Sequence, residues 1–175
     1  GALVVAEVLL FLGGVVWARR VFRSLGAGAP GGAYPGLLVG MAIVALVELA
    51  INMPRGYDSY SYHLPEVARW LVHGDFRLFS AMAETNLGYY PFLWDTLFAL
   101  PILSFREDFL VTLPSLLAWV FLCVVLLALM RDLGAVRRRR HMSVVLLAAT
   151  PIVLRGTLMA YVDLGQFAFF FACLY

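Results

Sequence analysis

The chain has 175 residues, of which 63% are hydrophobic and 14% are charged, and its formal net charge is +2. A soluble domain is nearer half apolar and a quarter charged, so this composition excludes an ordinary soluble domain and indicates an integral membrane protein. The two cysteines, Cys123 and Cys173, lie inside apolar runs and indicate neither a disulfide framework nor a cysteine-based metal site.

Apolar segments recur along the chain at lengths suited to membrane spans. The predicted fold class is therefore an all-α integral membrane protein, a multi-span helical bundle within one domain over 1–175. The segment 142–154 would cover only about 20 Å, so we expect it to tilt or to lie where the bilayer is thin. Because the chain begins and ends within apolar runs, we interpret it as the N-terminal fragment of a longer protein. The predicted spans are 2–18, 37–53, 109–130, 142–154 and 164–175.

The placement of arginine predicts the orientation. The loop 19–35 carries three arginines and no acid, and the loop 131–141 carries five arginines and one aspartate. The long insert 54–108 carries four arginines and seven acids. Since basic loops stay in the cytoplasm, we expect 19–35 and 131–141 to be cytoplasmic and 54–108 to be periplasmic or extracellular, in the cell (inner) membrane.

The external insert is predicted to carry two interfacial helices. In Leu64–Val72, a proline suits the first turn, and Leu64, Val67, Ala68 and Leu71 share one face with Glu66 directed away from it. The second helix, Pro91–Phe105, is apolar enough to span. If it did, however, the arginines at 137–140 would lie on the same side as the acidic insert.

Polar chemistry gathers where the second span ends, in the stretch "RGYDSYSYHLPEVARWLVHGDF". The carboxylate of Asp58 could accept a proton from a hydroxyl nucleophile or hold a divalent cation. Nearby Tyr57, Tyr60 and His63 offer hydrogen bonds and flat faces to a sugar, and Arg55 offers a fork for a phosphate. The structural alternative is an interfacial aromatic belt with a helix-capping aspartate.

Three stretches in the same order resemble the GT-C superfamily of membrane glycosyltransferases. "YDSYSYHLPEVARWLVHGDF" resembles the start of the first external loop in bacterial relatives of the protein O-mannosyltransferases and lipid A aminoarabinose transferases, which are glycosyltransferase family 39-like. "YYPFLWDTLFALP" resembles the second interfacial helix of that loop, with Phe92 in place of a usual proline. "ATPIVLRGTLMAYVDLGQFAFFFACLY" resembles a later pair of helices whose outer connection carries an acid.

This resemblance implies a GT-C-like fold and an enzyme that transfers a sugar from a polyprenyl-phosphate-linked donor to an acceptor outside the membrane. The expected partners are the lipid bilayer, the donor and the acceptor, and not nucleic acid. Asp58 occupies the position of the catalytic carboxylate, with inversion at the anomeric carbon. Asp163 and Glu84 align with further loop acids, and Arg155 joins Arg55 as a candidate for stabilising the leaving phosphate.

Several alternatives stay open at this point. The metal requirement is undetermined: a divalent metal ion could bind at Asp58, with His63 as a second ligand. The acceptor could be a lipid, a glycan or a protein. The rival functions are a membrane transporter, which would place charges at the membrane midplane, and a non-catalytic membrane subunit that keeps a GT-C-like fold.

Overall fold

The computed structural model describes residues 33–54, 56–74 and 94–175, and every regular element in these ranges is helical. The all-α prediction is therefore confirmed for this part of the chain. The predicted span 2–18 and most of the loop 19–35 lie outside it. The helices are α1 (Ala33–Ile51), a π-helical segment (Ser59–His63) that leads directly into α2 (Leu64–His73), α3 (Asp95–Phe105), α4 (Leu113–Asp132), α5 (Arg137–Ala148), α6 (Pro151–Gly156) and α7 (Asp163–Leu174).

Helix α4 is the centre of the bundle and contacts α1, α5 and α7. Its twenty residues have a mean hydropathy of 2.6, and it is the one helix in the described ranges that is long and apolar enough, by length and composition, to cross a membrane. The apolar parts of α1, α3 and α7 are shorter. The buried core around α4 comprises Ala45, Leu49, Leu116, Ala118, Trp119, Leu122, Cys123, Val144, Ala148, Leu164 and Ala168.

Large apolar side chains also cover the outside of the bundle, which is unusual for a protein surrounded by water. On α1 and α7 they occupy successive turns, so the apolar surface is continuous rather than scattered. Together with the composition of α4, this surface supports association with a membrane. The exposed side chains on these two helices include Leu37, Val39, Ile43, Val44, Leu46, Val47, Ile51, Phe167, Phe169, Phe170 and Leu174.

The connections between helices lie at two ends of the bundle. At the start of α4, the Ser115 hydroxyl donates to the Met159 carbonyl at 2.7 Å, and the Ala160 amide donates to Ser59 Oγ at 3.0 Å. We call this the loop end, formed by 56–63 and 157–163. The opposite end, 131–141, we call the arginine end. The Arg131 guanidinium donates there to the Tyr175 hydroxyl at 3.0 Å. The loop 131–141 thus lies at the other end of α4 from 157–163, while the membrane sides of the loops remain a prediction.

The segment predicted as a span over 142–154 is helical in two pieces. Helix α5 begins at Arg137, within the predicted loop, and ends at Ala148; α6 begins at Pro151. Between them Thr150 has φ −58° and ψ 127°, an extended conformation. The proline ring clashes with a helical conformation in the preceding residue, and this clash accounts for the break.

Helices α2 and α3 pack against each other beside the loop end. Both predicted helices of the insert are confirmed as helices, although α3 begins at Asp95 and residues 91–93 lie outside the described ranges. Their shared core contains Val67, Trp70, Phe98, Ala99, Val111 and Ala160.

The prediction of which residues of α2 are buried is partly wrong. Glu66 has no exposed surface, whereas Ala68, which was assigned to the apolar face, is exposed. The observed buried stripe instead contains His63, Glu66, Val67 and Trp70. Apolarity alone chose the wrong face, because a polar contact with α3 turns His63 and its neighbours inwards.

Candidate functional site

Asp58 lies at the loop end, at the entrance to the π-helical segment. Its backbone is helical, its side chain is partly buried, and its amide donates to the hydroxyl of Tyr161 at 3.4 Å. These two residues are 103 positions apart in the chain. The structure therefore brings the "YDSY" and "AYVD" stretches, which the resemblance had linked only by their order, into direct contact.

Two further contacts hold these stretches together. The hydroxyl of Ser59, which is fully buried, accepts the amide hydrogen of Ala160. Gly56 has φ +115°, and a Cβ atom added to it would lie 2.6 Å from the hydroxyl oxygen of Tyr161. A residue with a side chain would thus be strained in this conformation and would collide with Tyr161. Glycine allows the chain preceding Asp58 to lie directly against the tyrosine.

The π-helical segment sets the local geometry after Asp58. A π-helix joins residues i and i+5 and occurs mostly as a short insertion in α-helices, frequently at functional sites. In this chain it contains Ser59 and His63, which are both buried. Directly after the candidate carboxylate and one turn later, the chain thus places a hydroxyl and an imidazole on the inner side of the loop end.

The imidazole of His63 pairs with a buried carboxylate that sequence analysis did not select. His63 Nδ1 lies 2.7 Å from Asp95 Oδ1, and the two side chains are 5% and 1% exposed. The pair joins the π-helical segment to the first turn of α3. The sequence contained a signal for it, because an aspartate in the otherwise apolar "PFLWDTLFALP" requires a buried partner or solvent.

Glu66 is a second buried acid beside this pair. Its two carboxylate oxygens and Asp95 Oδ2 are buried without a hydrogen-bond partner, and Arg69 Nη1 lies 3.7 Å from Glu66 Oε2. Burial raises the pKa of the Glu66 carboxyl above its ordinary value; Arg69 and Trp70 oppose part of that rise, and the nearby Asp95 adds to it. We call the cluster formed by His63, Glu66 and Asp95 the buried acid cluster.

The other predicted site residues have different surroundings. Tyr57 and Tyr60 are exposed, and the Tyr60 hydroxyl donates to the Pro54 carbonyl. Asp163 is exposed in the first turn of α7, two residues after Tyr161, and Arg155 is exposed on α6. Both belong to the part of the chain that leads into or out of the loop end. Arg55 and Glu84 lie outside the described residues.

A small recess opens at the loop end where α1 meets the start of α4. Its walls include Glu48 and Asn52 at the end of α1 and Thr112 in the turn before α4. Because the loop 157–163 contributes to its wall, the recess adjoins the segment that holds Asp58. Its lining residues are Glu48, Leu49, Asn52, Met53, Thr112 and Leu158.

A metal site needs several histidine, cysteine, aspartate or glutamate side chains close together. Across 33–54, 56–74 and 94–175, no group of three or more histidine, cysteine, aspartate or glutamate side chains is placed to hold a metal ion. His63 also directs its Nδ1 at Asp95, which leaves only its Nε2 for a ligand.

Comparison with known proteins adds no relative to this description. No protein-family model, no curated protein and no solved structure matches the chain.

Proposed function

We propose that this chain belongs to a membrane glycosyltransferase that transfers a sugar from a polyprenyl-phosphate-linked donor to an acceptor outside the membrane. Its bundle would span the membrane several times, with the loop end facing outwards. The observation that carries the proposal is the contact between the Asp58 segment and the 157–163 loop. These are the two stretches of the GT-C resemblance that would have to share one site.

The position of Asp58 suits the chemistry of such a donor. A polyprenyl tail must stay in lipid while its phosphate and sugar stay in water. The loop end lies directly beyond the end of α1, whose surface is apolar, and it is bordered by α2 and α3. A carboxylate at this boundary can reach a hydrated sugar without drawing the lipid tail out of the membrane.

In the proposed reaction the acceptor hydroxyl attacks the anomeric carbon. The Asp58 carboxylate takes the hydroxyl proton as the new carbon–oxygen bond forms. The bond from the anomeric carbon to the phosphate oxygen breaks, and the polyprenyl phosphate leaves with the electron pair, which inverts the anomeric configuration. Arg155, exposed near the loop end, is the described candidate for stabilising the leaving phosphate.

The buried acid cluster would serve this site by positioning rather than by reacting. The His63–Asp95 pair fixes the π-helical segment against α3, and Ser59 fixes it against the 157–163 loop. Asp58, at the start of that segment, is thereby held from two sides. A rigid carboxylate supports acid–base catalysis, because the rate depends steeply on the placement of the reacting groups.

The test is a comparison of wild type with Asp58→Asn in the intact protein in lipid bilayers, with labelled polyprenyl-phosphate sugars as donors. We expect sugar transfer or donor hydrolysis to fall by at least about 100-fold in a folded variant, the range typical of acid–base groups. Asp108→Asn is the matched control, because Asp108 is an exposed acid of the same insert outside the proposed site.

The other outcomes are equally informative. Equal activity in wild type and Asp58→Asn would remove Asp58 from the mechanism and direct attention to Glu84 and Asp163. Absence of turnover with every donor would contradict the enzyme proposal and favour a transporter or a non-catalytic subunit.

A further inference from the structure

The arginine end carries a concentration of positive charge that the proposed reaction does not use. Four consecutive arginines, 137–140, form the first turn of α5. The amide groups of a helix N-terminus already carry a partial positive charge, so cations are unfavourable there unless an anion is nearby. This turn has no acidic residue and no side-chain cap. The preceding acid, Asp132, accepts from Arg131 Nε at 2.8 Å.

Arg140 gives an independent indication that an anion belongs at this turn. Its side chain is 8% exposed, and its Nε is buried without a hydrogen-bond partner. Helical side chains lean towards the helix N-terminus, so a residue at the fourth position extends over the first turn. A buried guanidinium nitrogen that lacks an acceptor is costly, and an anionic oxygen at the first turn would relieve that cost.

The exposed side of α5 shows which anion fits. Arg138, Met142 and Leu146 follow one another at intervals of four residues and therefore share a face. All three are exposed, with Met142 at 42% and Leu146 at 64%. Arg139, Ser143 and Leu147 form a parallel exposed row. Each row thus begins with a cation and ends in an apolar side chain.

We propose that the arginine end binds the headgroup of an anionic phospholipid. The phosphate lies at the first turn of α5, where Arg138 and Arg139 are exposed and the buried Nε of Arg140 lacks an acceptor. An acyl chain follows Met142 and Leu146 along the helix. A free phosphate would satisfy the arginines alone, whereas a phospholipid also covers the apolar ends of both rows.

The first experiment titrates the detergent-solubilised protein with phosphatidylglycerol and with phosphatidylcholine of the same acyl chains. We expect wild type to prefer phosphatidylglycerol and the double variant Arg138→Gln, Arg139→Gln to bind it roughly 10- to 30-fold more weakly, from the usual contribution of arginines near an anionic lipid. The control is Arg106→Gln, which removes a charge from an exposed position outside the arginine end. Its affinity should stay at the wild-type level.

Three results would overturn the proposal: equal affinity for the two lipids, equal affinity of wild type and the Arg138/Arg139 variant, or glycerol phosphate binding as tightly as phosphatidylglycerol. The last would assign a soluble phosphate in place of a lipid. If the double variant does not fold, the salt dependence of lipid binding by wild type tests the proposal. About 1 M salt should weaken phosphatidylglycerol binding and leave phosphatidylcholine unchanged, since surface charges are then screened within about 3 Å; binding that ignores salt would contradict the proposal.

Discussion

The two ends of the bundle use their polar residues in opposite ways. At the loop end, polar side chains are buried and join segments far apart in the chain, as in the His63–Asp95 pair and the Ser59–Ala160 hydrogen bond. At the arginine end, Arg138 and Arg139 are exposed. A buried polar contact fixes one geometry, because each partner is costly without the other, whereas an exposed charge remains available to a partner outside the chain.

The largest expected loss of stability comes from a substitution of Asp95, which removes the buried pair at the loop end. Asp95→Ala would leave His63 buried without its partner, and a buried polar group left unsatisfied costs about 1–3 kcal/mol, with more where a charged group is involved. We expect a correspondingly large fall in the unfolding temperature in detergent. Asp108→Ala, at an exposed acid, should change stability by no more than about 0.5 kcal/mol. Equal effects of the two substitutions would show that the buried pair does not stabilise the loop end.

Gly56→Ala tests the close approach of the Asp58 segment to Tyr161. Alanine would be forced into a left-handed backbone conformation, and its methyl group would collide with the tyrosine hydroxyl. We therefore expect the free energy of unfolding to fall by about 3 kcal/mol. Gly40→Ala is the control, because nothing lies within 4 Å of a Cβ at that helical position. That substitution should stabilise α1 by about 0.5–1 kcal/mol. A tolerated Gly56→Ala would mean that the two segments are not in contact.

Ser59→Ala should have a smaller effect, about 1–2 kcal/mol, because it leaves the buried Ala160 amide without its acceptor. Ser61→Ala provides the comparison on the same segment. The Ser61 hydroxyl donates to the Tyr57 carbonyl within its own helix at an exposed position, so its loss should be nearly neutral. Chemical denaturation of both variants measures the difference; matching midpoints would argue against the tertiary role of Ser59.

The smallest expected effect is a pH dependence from Glu66. Its pKa is raised in the folded state, so the folded state holds the proton more tightly than the unfolded state. Glu66 therefore costs no stability below its unfolded pKa, near 4.5, and reduces stability as the pH rises from there through the folded pKa. Glu66→Gln should remove this decline. The unfolding temperatures of variant and wild type should diverge as the pH rises; parallel curves would contradict a raised pKa.

Local patterns in the sequence predicted the helices well. Hydropathy and helical spacing located α2 and α3 inside the insert. These features depend on neighbouring residues. The break at Thr150 was equally local, because Pro151 is visible in the sequence, but the apolar character of 142–154 concealed it.

The tertiary polar contacts could not be predicted in the same way. His63 and Asp95 are 32 residues apart, and Ser59 and Ala160 are 101 residues apart. Nothing in their spacing identifies them as partners, so the sequence placed Glu66 outside and treated His63 as isolated. The candidate site was therefore predicted at Asp58, while the residues that hold Asp58 in place emerged only from the fold.

The π-helical segment makes the loop end sensitive to chain length. Its hydrogen bonds span one residue more than those of an α-helix, so Ser59–His63 contains an additional residue between Asp58 and α2. Deleting one residue there would restore regular α-helical winding and turn Asp58 by about 100° around the helix axis relative to Glu66 and Trp70. A chain one position shorter in this turn would therefore present the carboxylate of Asp58 in a different direction relative to α2.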